Sequence, residues 1–396
     1  MRILVFCDED LSIAAGGARQ VLELSKALAR RTHTVRIIAP RPAHSRHLAQ
    51  EFASLSFRPV PVWRAAGVRP FSYLIASWHV LRHELAAWQP DVLLWFDSPG
   101  QMAPLLALSR HPCASVLFVN GLPEEEVRGI WRLPLVRWAL CAALKASARR
   151  AQAVVSVCRE IVTQMQDSWG IPSAQCHVIR NGVDGDRFHP QSQESSRIIL
   201  GLTGPGPYIG FVGGFFPWHG LETLIEAMPL VREKVPTAML MLVGDGQTRP
   251  SLEQFVRQRG LTESVRFTGR AAWDQVPSWI AACDVCVVLH RKTRSYPGDS
   301  MKLWEYLACG RPVITTAGPG YGETVEEIGC GLAAEPENAR DLARQLIRLL
   351  EDPDARRKMG ERGRTAVIQA HTWGARAKEL EQVLDMAIAA RRRTLS

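Results

Sequence analysis

Lys302 and Glu305 stand three residues apart in MKLWEYLA, directly behind the turn-forming Pro297-Gly298-Asp299. Residues at this spacing share one face of a helix, so a cation and a carboxylate would emerge side by side. The chain holds only seven lysines, and this one falls in a first helical turn, where the helix dipole favours acids by about 0.3–1 kcal/mol. An anion bound at that helix start would offset the misplacement. An ionised carboxylate accepts hydrogen bonds from two adjacent hydroxyls, as acidic side chains do at nucleotide riboses. Phosphate on Lys302 and ribose on Glu305 would make one nucleotide site. The competing explanation is a solvated Lys-Glu pair worth about 0.2–0.5 kcal/mol.

Two glycine-rich stretches have similar potential. In VGGFFPWHGLETL, Gly213 and Gly214 permit a sharp turn and close approach to a ligand. A helix after Gly220 would aim free N–H groups at an anion, and His219 could add a proton donor. Gly16-Gly17 precede the first helix in the same way. Either stretch alone reads equally well as a tight strand–helix connection.

The elements around these residues set their direction. DVCVVLH (284–290) upstream and PVITT downstream of the MKLWEYLA helix read as buried strands. Strand, loop, helix, strand places Lys302 and Glu305 at the carboxyl edge of a parallel sheet, where open α/β sheets bind ligands. In the first half RILVFC, TVRIIA, DVLLWF, ASVLFV and AVVSVC are apolar runs without polar alternation, as in strands covered on both faces. ARQVLELSKALARR between them is amphipathic, with Val21, Leu24 and Leu28 on one face. The half closes near the Asn181-Gly182 turn, and QSQESSR (191–197) with GLTGPGP (201–207) reads as an interdomain connection. A second series, YIGFVGG, AMLMLVG, SVRFTG, DVCVVLH and PVITT, then gives way to helices only, broken near Pro353 and Thr372-Trp373. The expectation is two doubly wound domains, 1–190 and 205–372, with ligand edges across a cleft.

Composition narrows the class. The chain has 396 residues, 46% apolar and 22% charged, ordinary values for a globular protein of two or three domains. Its net charge of +9, nearly all arginine excess, favours anionic partners. No apolar run approaches the ~20 residues of a membrane span, and the acidic DED after the first strand argues against a secretion signal. Nine cysteines without a framework fit a reducing cytoplasm. Cys283 and Cys286 form a lone C-x-x-C, expected to be buried structural thiols. DED (8–10) and DGD (184–186) have metal-binding spacing but end a strand and lie in a turn, so no metal is expected. His79 and His83 lack the glutamate of a zinc helix, and no nucleic-acid module is present.

MKLWEYLACGRPVITT resembles the signature of glycosyltransferase family 4, retaining enzymes of GT-B fold that use nucleotide sugars. FVGGFFPWHGLETLIEAM, VIRNGVDGDRF, GGARQVLELSKALARRTHTV and TWGARAKELEQVL resemble further family segments in the right order. The resemblance implies that Glu305 holds the donor ribose and that Lys302 with Gly213-Gly214 faces the diphosphate. It implies that the loop at Arg270-Ala271 reads the base through backbone, and that Gly16-Gly17 closes over donor sugar and phosphate. It also implies that the last helix, 373–396, returns to the first domain. The sequence departs from the pattern in three places. Pro297 stands where many members have a first glutamate, with Asp299 as stand-in for the sugar contact. Gly214 and His219 occupy the positions of the usual basic pair, leaving Lys302, with Arg291 or Arg294, to neutralise the leaving phosphate.

The acceptor side is expected on the strand-edge loops FDSPG (96–100) and VNGLPEEE (119–126), with Asp97 and Asn120 as polar contacts. Glu124, Glu125 and Glu126 after Pro123 fit an acid-enriched first helical turn. Residues 127–150 mix Trp131, Leu135, Trp138 and Leu144 with Arg128, Arg132, Arg137, Lys145, Arg149 and Arg150. The stretch suits either an anionic membrane surface or a core-facing helix with a basic outer face. The resulting expectation is a cytoplasmic enzyme, peripheral on the inner membrane face. It would transfer a sugar from a UDP- or GDP-sugar to a hydroxyl of a glycan or lipid-linked acceptor, for cell-surface glycan, glycolipid or exopolysaccharide synthesis. Lys302, His219 and Asp299 would be catalytic, with no cofactor, no metal and no nucleic acid. A non-catalytic nucleotide-sugar binder or partner subunit, suggested by Pro297 and Gly214, and a GT-B-like epimerase are the alternatives.

Overall fold

Unbroken apolar runs become parallel strands in both halves of the chain. The computed structural model describes all residues except 14, 43–54, 63–68, 99–101, 123, 125–133, 293–297 and 394–396. It divides into one unit of Met1–Asn181 with Trp373–Ser396 and a second of Gly182–Thr372. The first holds β1 (Arg2–Phe6), α1 (Gly16–Arg30), β2 (Thr34–Pro40), β3 (Ser56–Val60), α2 (Arg69–Trp88), β4 (Val92–Phe96), α3 (Ala103–Leu108), β5 (Ala114–Val119), α4 (Pro134–Arg150), β6 (Ala153–Ser156), α5 (Arg159–Trp169) and β7 (Cys176–Val178). Its seven strands lie in the order β3-β2-β1-β4-β5-β6-β7, every pair parallel. β3 and β7 escape a reading based on apolar runs because they are edge strands. SFRPV buries only Val60, and CHV has no fully buried residue.

The second unit runs α6 (Gln193–Ile199), β8 (Tyr208–Val212), α7 (Leu221–Lys234), β9 (Met239–Val243), α8 (Arg249–Gln258), β10 (Val265–Gly269), α9 (Val276–Ala282), β11 (Val285–Val288), α10 (Met301–Ala308), β12 (Val313–Thr316), α11 (Tyr321–Ile328), β13 (Gly331–Ala334), α12 (Ala339–Glu351) and α13 (Pro353–Ala370). The parallel sheet has the order β10-β9-β8-β11-β12-β13. Two expectations are corrected here. Of the expected connection 191–197, residues 192–197 belong to helix α6 and its cap rather than a linker. Ser192 accepts from Ser195 N, Arg197 pairs with Asp284 at 2.6 Å, and Gln193 donates to the Cys283 carbonyl. Nor do only helices follow β12, because β13 completes the sheet. Its GLAA sequence carries little apolar signal, and Gly331 is required where a Cβ would sit 1.8 Å from the Val313 carbonyl oxygen.

The last helix, α14 (Trp373–Arg393), is part of the first unit. It buries Leu380, Val383, Leu384 and Ala387. Its Glu381 accepts from Arg31 and lies 2.9 Å from His33 Nε2. Burying a large apolar side chain contributes about 1.5–3 kcal/mol, against about 0–1 for a part-exposed ion pair. Apolar packing therefore dominates, and the ion pair adds direction.

In the second unit the sheet is covered on both faces. Leu224, Ile225 and Met228 of α7 pack with Leu342, Leu346 and Leu349 of α12 on one side. On the other, Leu303, Trp304, Tyr306 and Leu307 of α10 pack with Val325 and Val367. α13 crosses the end of α10 so closely that a Cβ on Gly360 would fall 2.1 Å from the Gly310 carbonyl oxygen. Alanine outranks glycine in a helix interior by about 1 kcal/mol, yet the backbone overlap exceeds that gain. Gly360→Ala should therefore lower stability by roughly 2 kcal/mol or more, read as a shifted urea midpoint; an unchanged or higher midpoint contradicts the close crossing.

Candidate active site

Strand order in the second unit reverses between β8 and β11, the place where such sheets open a crevice at their carboxyl ends. β8 pairs with β9 along its full length but with β11 only at Ile209 and Gly210. At the open end a side chain replaces the missing ladder. The Tyr306 hydroxyl accepts from Val212 N–H at 2.8 Å and donates to the Val212 carbonyl at 3.0 Å. Burial raises the phenol well above its ordinary value, so it stays protonated and able to donate. α10 is thereby fastened to the end of β8, with Lys302 one turn ahead of the fastening.

Lys302 lies across the glycine turn that follows β8. Gly213 has φ 155°, and a Cβ there would meet Lys302 Cδ at 2.7 Å, so glycine is what leaves room for the lysine stem. Gly214 has a different reason. A Cβ there would meet the Phe216 ring at 2.5 Å. The position that carries a basic residue in the family pattern is covered here by an aromatic ring, stacked on Trp218 at 4.6 Å and 5°. The Lys302 ammonium lies 5.5 Å from the centre of the Phe211 ring and 3.4 Å from His219 Nε2. An ammonium can only donate, so Nε2 is the accepting atom of that contact. His219 is buried among Phe211, Phe216 and Trp218, beside Lys302. It closes a short 3-10 turn, Pro217–His219, before Gly220 (φ 58°) starts α7.

Glu305 shares the Lys302 face of α10 and is only 9% exposed. Asp299 precedes the start of α10. Ser300 is the capping residue, without a side-chain capping bond, and both Asp299 oxygens lie 3.2 Å from Trp304 Nε1. Arg270 follows β10 with an exposed guanidinium 4.0 Å from Asp245 Oδ2. That turn is anchored by Gly244 N–H, which donates to the Gly269 carbonyl. Arg291, one of two arginines considered for the leaving phosphate, is instead 2.8 Å from Glu222. Arg294 and Pro297 lie outside the described residues. Lys302, Gly213, Gly214, His219, Asp299, Glu305 and Arg270 thus all belong to the carboxyl edge of one sheet. Tyr306 and Trp304 were missed by a reading from chemistry, because an aromatic inside an apolar helix face signals only core.

The first unit has its own switch between β1 and β4. Gly16 opens α1, and the Glu9 carboxylate lies over Gly17, 2.9 Å from where a Cβ would sit. Asp97 accepts from Asn120 N–H at 3.0 Å. Asn120 Nδ2 donates to Gln20 Oε1 at 2.7 Å, and Gln20 Nε2 donates to Asn181 Oδ1 at 2.8 Å. The two expected acceptor-side residues are therefore joined in one chain with Gln20 and Asn181. Gln20 was hidden in the buried face of α1.

On α4, Leu135 and Trp138 are 76% and 69% exposed, whereas Lys145 turns to Glu124 at 2.9 Å and Arg149 to the Trp169 carbonyl. Leu144 is buried, and residues 127–133, with Trp131, Arg128 and Arg132, lie outside the described residues, as do Pro123, Glu125, Glu126 and residues 99–100.

Among the described residues no three or more His, Cys, Asp or Glu side chains gather as a metal site, and no helix is long and apolar enough to cross a membrane. Asp8 accepts from Ser98, Asp10 from Ser12, and Asp184 from two backbone N–H groups of its own turn. Cys283 and Cys286 are buried, and burial pushes the Cys286 thiol well up.

Two parallel α/β units, the second with a glycine turn beside Lys302 at its switch point, have the form of the GT-B glycosyltransferase fold. Residues 14–187 match the model for Glycosyltransferase Family 4 and residues 192–366 that for Glycosyl transferases group 1. The chain belongs to glycosyltransferase family 4. It is 26% identical over 388 residues to a GDP-mannose-dependent alpha-(1-6)-phosphatidylinositol monomannoside mannosyltransferase of Mycolicibacterium smegmatis, covering 96% of this chain and 98% of the relative. A GDP-mannose-dependent monoacylated alpha-(1-6)-phosphatidylinositol monomannoside mannosyltransferase of Corynebacterium glutamicum is 28% identical over 302 residues, 74% of this chain and 75% of its own. Among solved structures, sucrose-phosphate synthase from Thermosynechococcus elongatus superposes with a TM-score of 0.79 at 21% identity, over 98% of this chain and 100% of that one.

The Tyr306 fastening makes a direct prediction. Tyr306→Phe leaves two buried backbone groups of Val212 unsatisfied and should destabilise the protein by about 1–3 kcal/mol. Urea unfolding reads this; a loss under about 0.5 kcal/mol would mean that the hydroxyl does not stand in for the ladder.

Proposed function

We propose that the chain transfers a sugar, with retention and without a metal, from a nucleoside diphosphate donor to a hydroxyl of a lipid-linked or glycan acceptor. One observation carries the reading: the Lys302 ammonium is held over the Gly213 turn and beside His219, three residues before the buried Glu305, at the open β8/β11 edge. Charge builds on the leaving diphosphate as the glycosidic bond breaks. Fixed donors aimed at that charge stabilise the transition state without reorganising. Lys302 is that donor here, with the backbone N–H groups of the turn. Glu305 accepts the two ribose hydroxyls, Asp299 faces the donor sugar in place of the family's first glutamate, and the turn at Arg270 flanks the base. Asp97 and Asn120 belong to the acceptor side. The two mannosyltransferase relatives named above are GDP-mannose-dependent, which favours a GDP-type donor first. Their names also specify glycolipid acceptors. Exposed Leu135 and Trp138 on α4 suit contact with the membrane that carries such a lipid.

Calorimetric titration with GDP, UDP and ADP should give one preferred nucleotide, weakened at least tenfold by Glu305→Ala, since hydrogen bonds to a charged group are lost. With GDP-mannose and phosphatidylinositol monomannoside, Lys302→Ala should lower turnover by roughly 10²–10³-fold while changing GDP affinity much less. Unchanged turnover would remove Lys302 from the reaction, and binding without any transfer or hydrolysis would leave a nucleotide-sugar binder. The protein should also sediment with phosphatidylglycerol vesicles at low salt, less so as Leu135→Ser/Trp138→Ser; equal sedimentation of both proteins discards α4 as the contact.

A further inference from the structure

The amino edge of the second sheet, opposite the edge that bears Lys302, carries a cavity of about 310 Å³. Strand register builds its floor. Tyr208 of β8 pairs with Met239 of β9, and Met241 pairs with Arg266 of β10, so the four side chains share one face of the sheet. Tyr208 and Met241 belong there to the cluster of Leu303 and Trp304, whereas Val265 of β10 joins the cluster on the opposite face. Residues 203–205 form one wall, and the end of α7 brings Arg232 to the rim. The Tyr208 phenol is committed, because it donates to the Gly204 carbonyl at 3.0 Å. Arg232 Nε donates to the Pro236 carbonyl at 2.9 Å, which pins that guanidinium in place. Among the described residues no acceptor meets its two terminal nitrogens or the exposed Arg266 guanidinium. An exposed arginine is ordinarily just solvated. These two converge on an apolar floor, where a lower local dielectric strengthens their hold on an anion.

We propose that this cavity binds a small phosphomonoester, with its phosphate between Arg232 and Arg266 and a ring-sized apolar body on Met239 and Met241. Two guanidinium forks match the charge and the terminal oxygens of a phosphate dianion. Unbranched thioethers adapt to the shape of such a body. The volume lies near the small end of ligand pockets, so it takes one ring and excludes a long acyl chain. The site is separate from the candidate transfer site. The five residues of β9 lie between it and the Gly244 turn, roughly 15 Å at the rise of a strand. The inference is therefore independent of the roles given to Lys302 and Glu305.

The floor can be watched directly by nuclear magnetic resonance of the full chain, isotope-labelled at its methionine methyl groups. Met239→Leu and Met241→Leu assign the two signals, and the remaining methionines report whether each variant is folded. Titration with phenyl phosphate should shift both signals with a Kd on the order of 1 mM, the strength of a fragment-sized ligand. Arg232→Gln and Arg266→Gln should each weaken binding by roughly tenfold, as one charge-assisted contact is lost. Inorganic phosphate, which lacks the ring, should shift the two signals much less at the same concentration. Benzoate, with a single charge, should bind more weakly than phenyl phosphate. Lys302→Ala should leave the titration unchanged; a loss there would mean that the shifts are relayed from the opposite edge, and would overturn the cavity as the site. Absence of shifts at both methyls, or shifts that survive both arginine substitutions, overturns the proposal. Benzoate binding as tightly as phenyl phosphate overturns the assignment to a phosphomonoester.

Discussion

One hydroxyl holds the candidate site in register. Where β8 parts from β11, two backbone groups of Val212 would be left buried and unpaired, at a cost of about 1–3 kcal/mol. Tyr306 satisfies both. Because Tyr306 sits on α10, the same bonds place Lys302 and Glu305 against the end of the strand. A crevice at a topological switch is a general consequence of reversing strand order. A side chain that repairs the opened ladder and delivers the ligand-facing helix makes it a site of defined geometry.

The glycine turn is shaped by what fills the space a Cβ would need. At Gly213 that is the lysine stem, and at Gly214 it is Phe216. The missing basic residue of the family pattern is thus an exchange of charge for an aromatic lining, and it concentrates positive charge on Lys302. The Lys302 ammonium lies beside His219, which is buried among Phe211, Phe216 and Trp218. A cation in such surroundings interacts more strongly with a developing phosphate charge than one in bulk water. Arg291 pairs with Glu222, and Lys302 lies against the turn.

In the first unit a chain of amide and carboxylate bonds, Asp97 to Asn120 to Gln20 to Asn181, occupies the carboxyl edge of the sheet. Such a network limits the conformations of the loops that bear Asp97 and Asn120, because each broken link would strand a part-buried polar group. α4 divides its basic residues differently from a simple amphipathic reading. Lys145 and Arg149 face the protein, and the exposed apolar pair Leu135 and Trp138 faces outward.

The sequence by itself determined the alternation of buried strands and amphipathic helices, the helical breaks at Pro353 and Thr372, and the placing of Lys302 and Glu305 at a sheet edge. Those features rest on local periodicity and on punctuation by proline and glycine, which a chain carries without its fold. Edge strands β3 and β7 and the short β13 were hidden because half-exposed or glycine-bearing strands have no apolar run. Helix α6 was hidden because its polar residues find partners, Asp284 and the Cys283 carbonyl, some ninety positions away. Tertiary structure alone decided that Tyr306 repairs a ladder, that Gly214 makes room for a ring, and that Asp299 faces an indole rather than a helix end. The first joins residues ninety-four positions apart, and the other two depend on side-chain orientation that spacing does not give. Spacing can place a residue on a face, but only packing decides what that face meets.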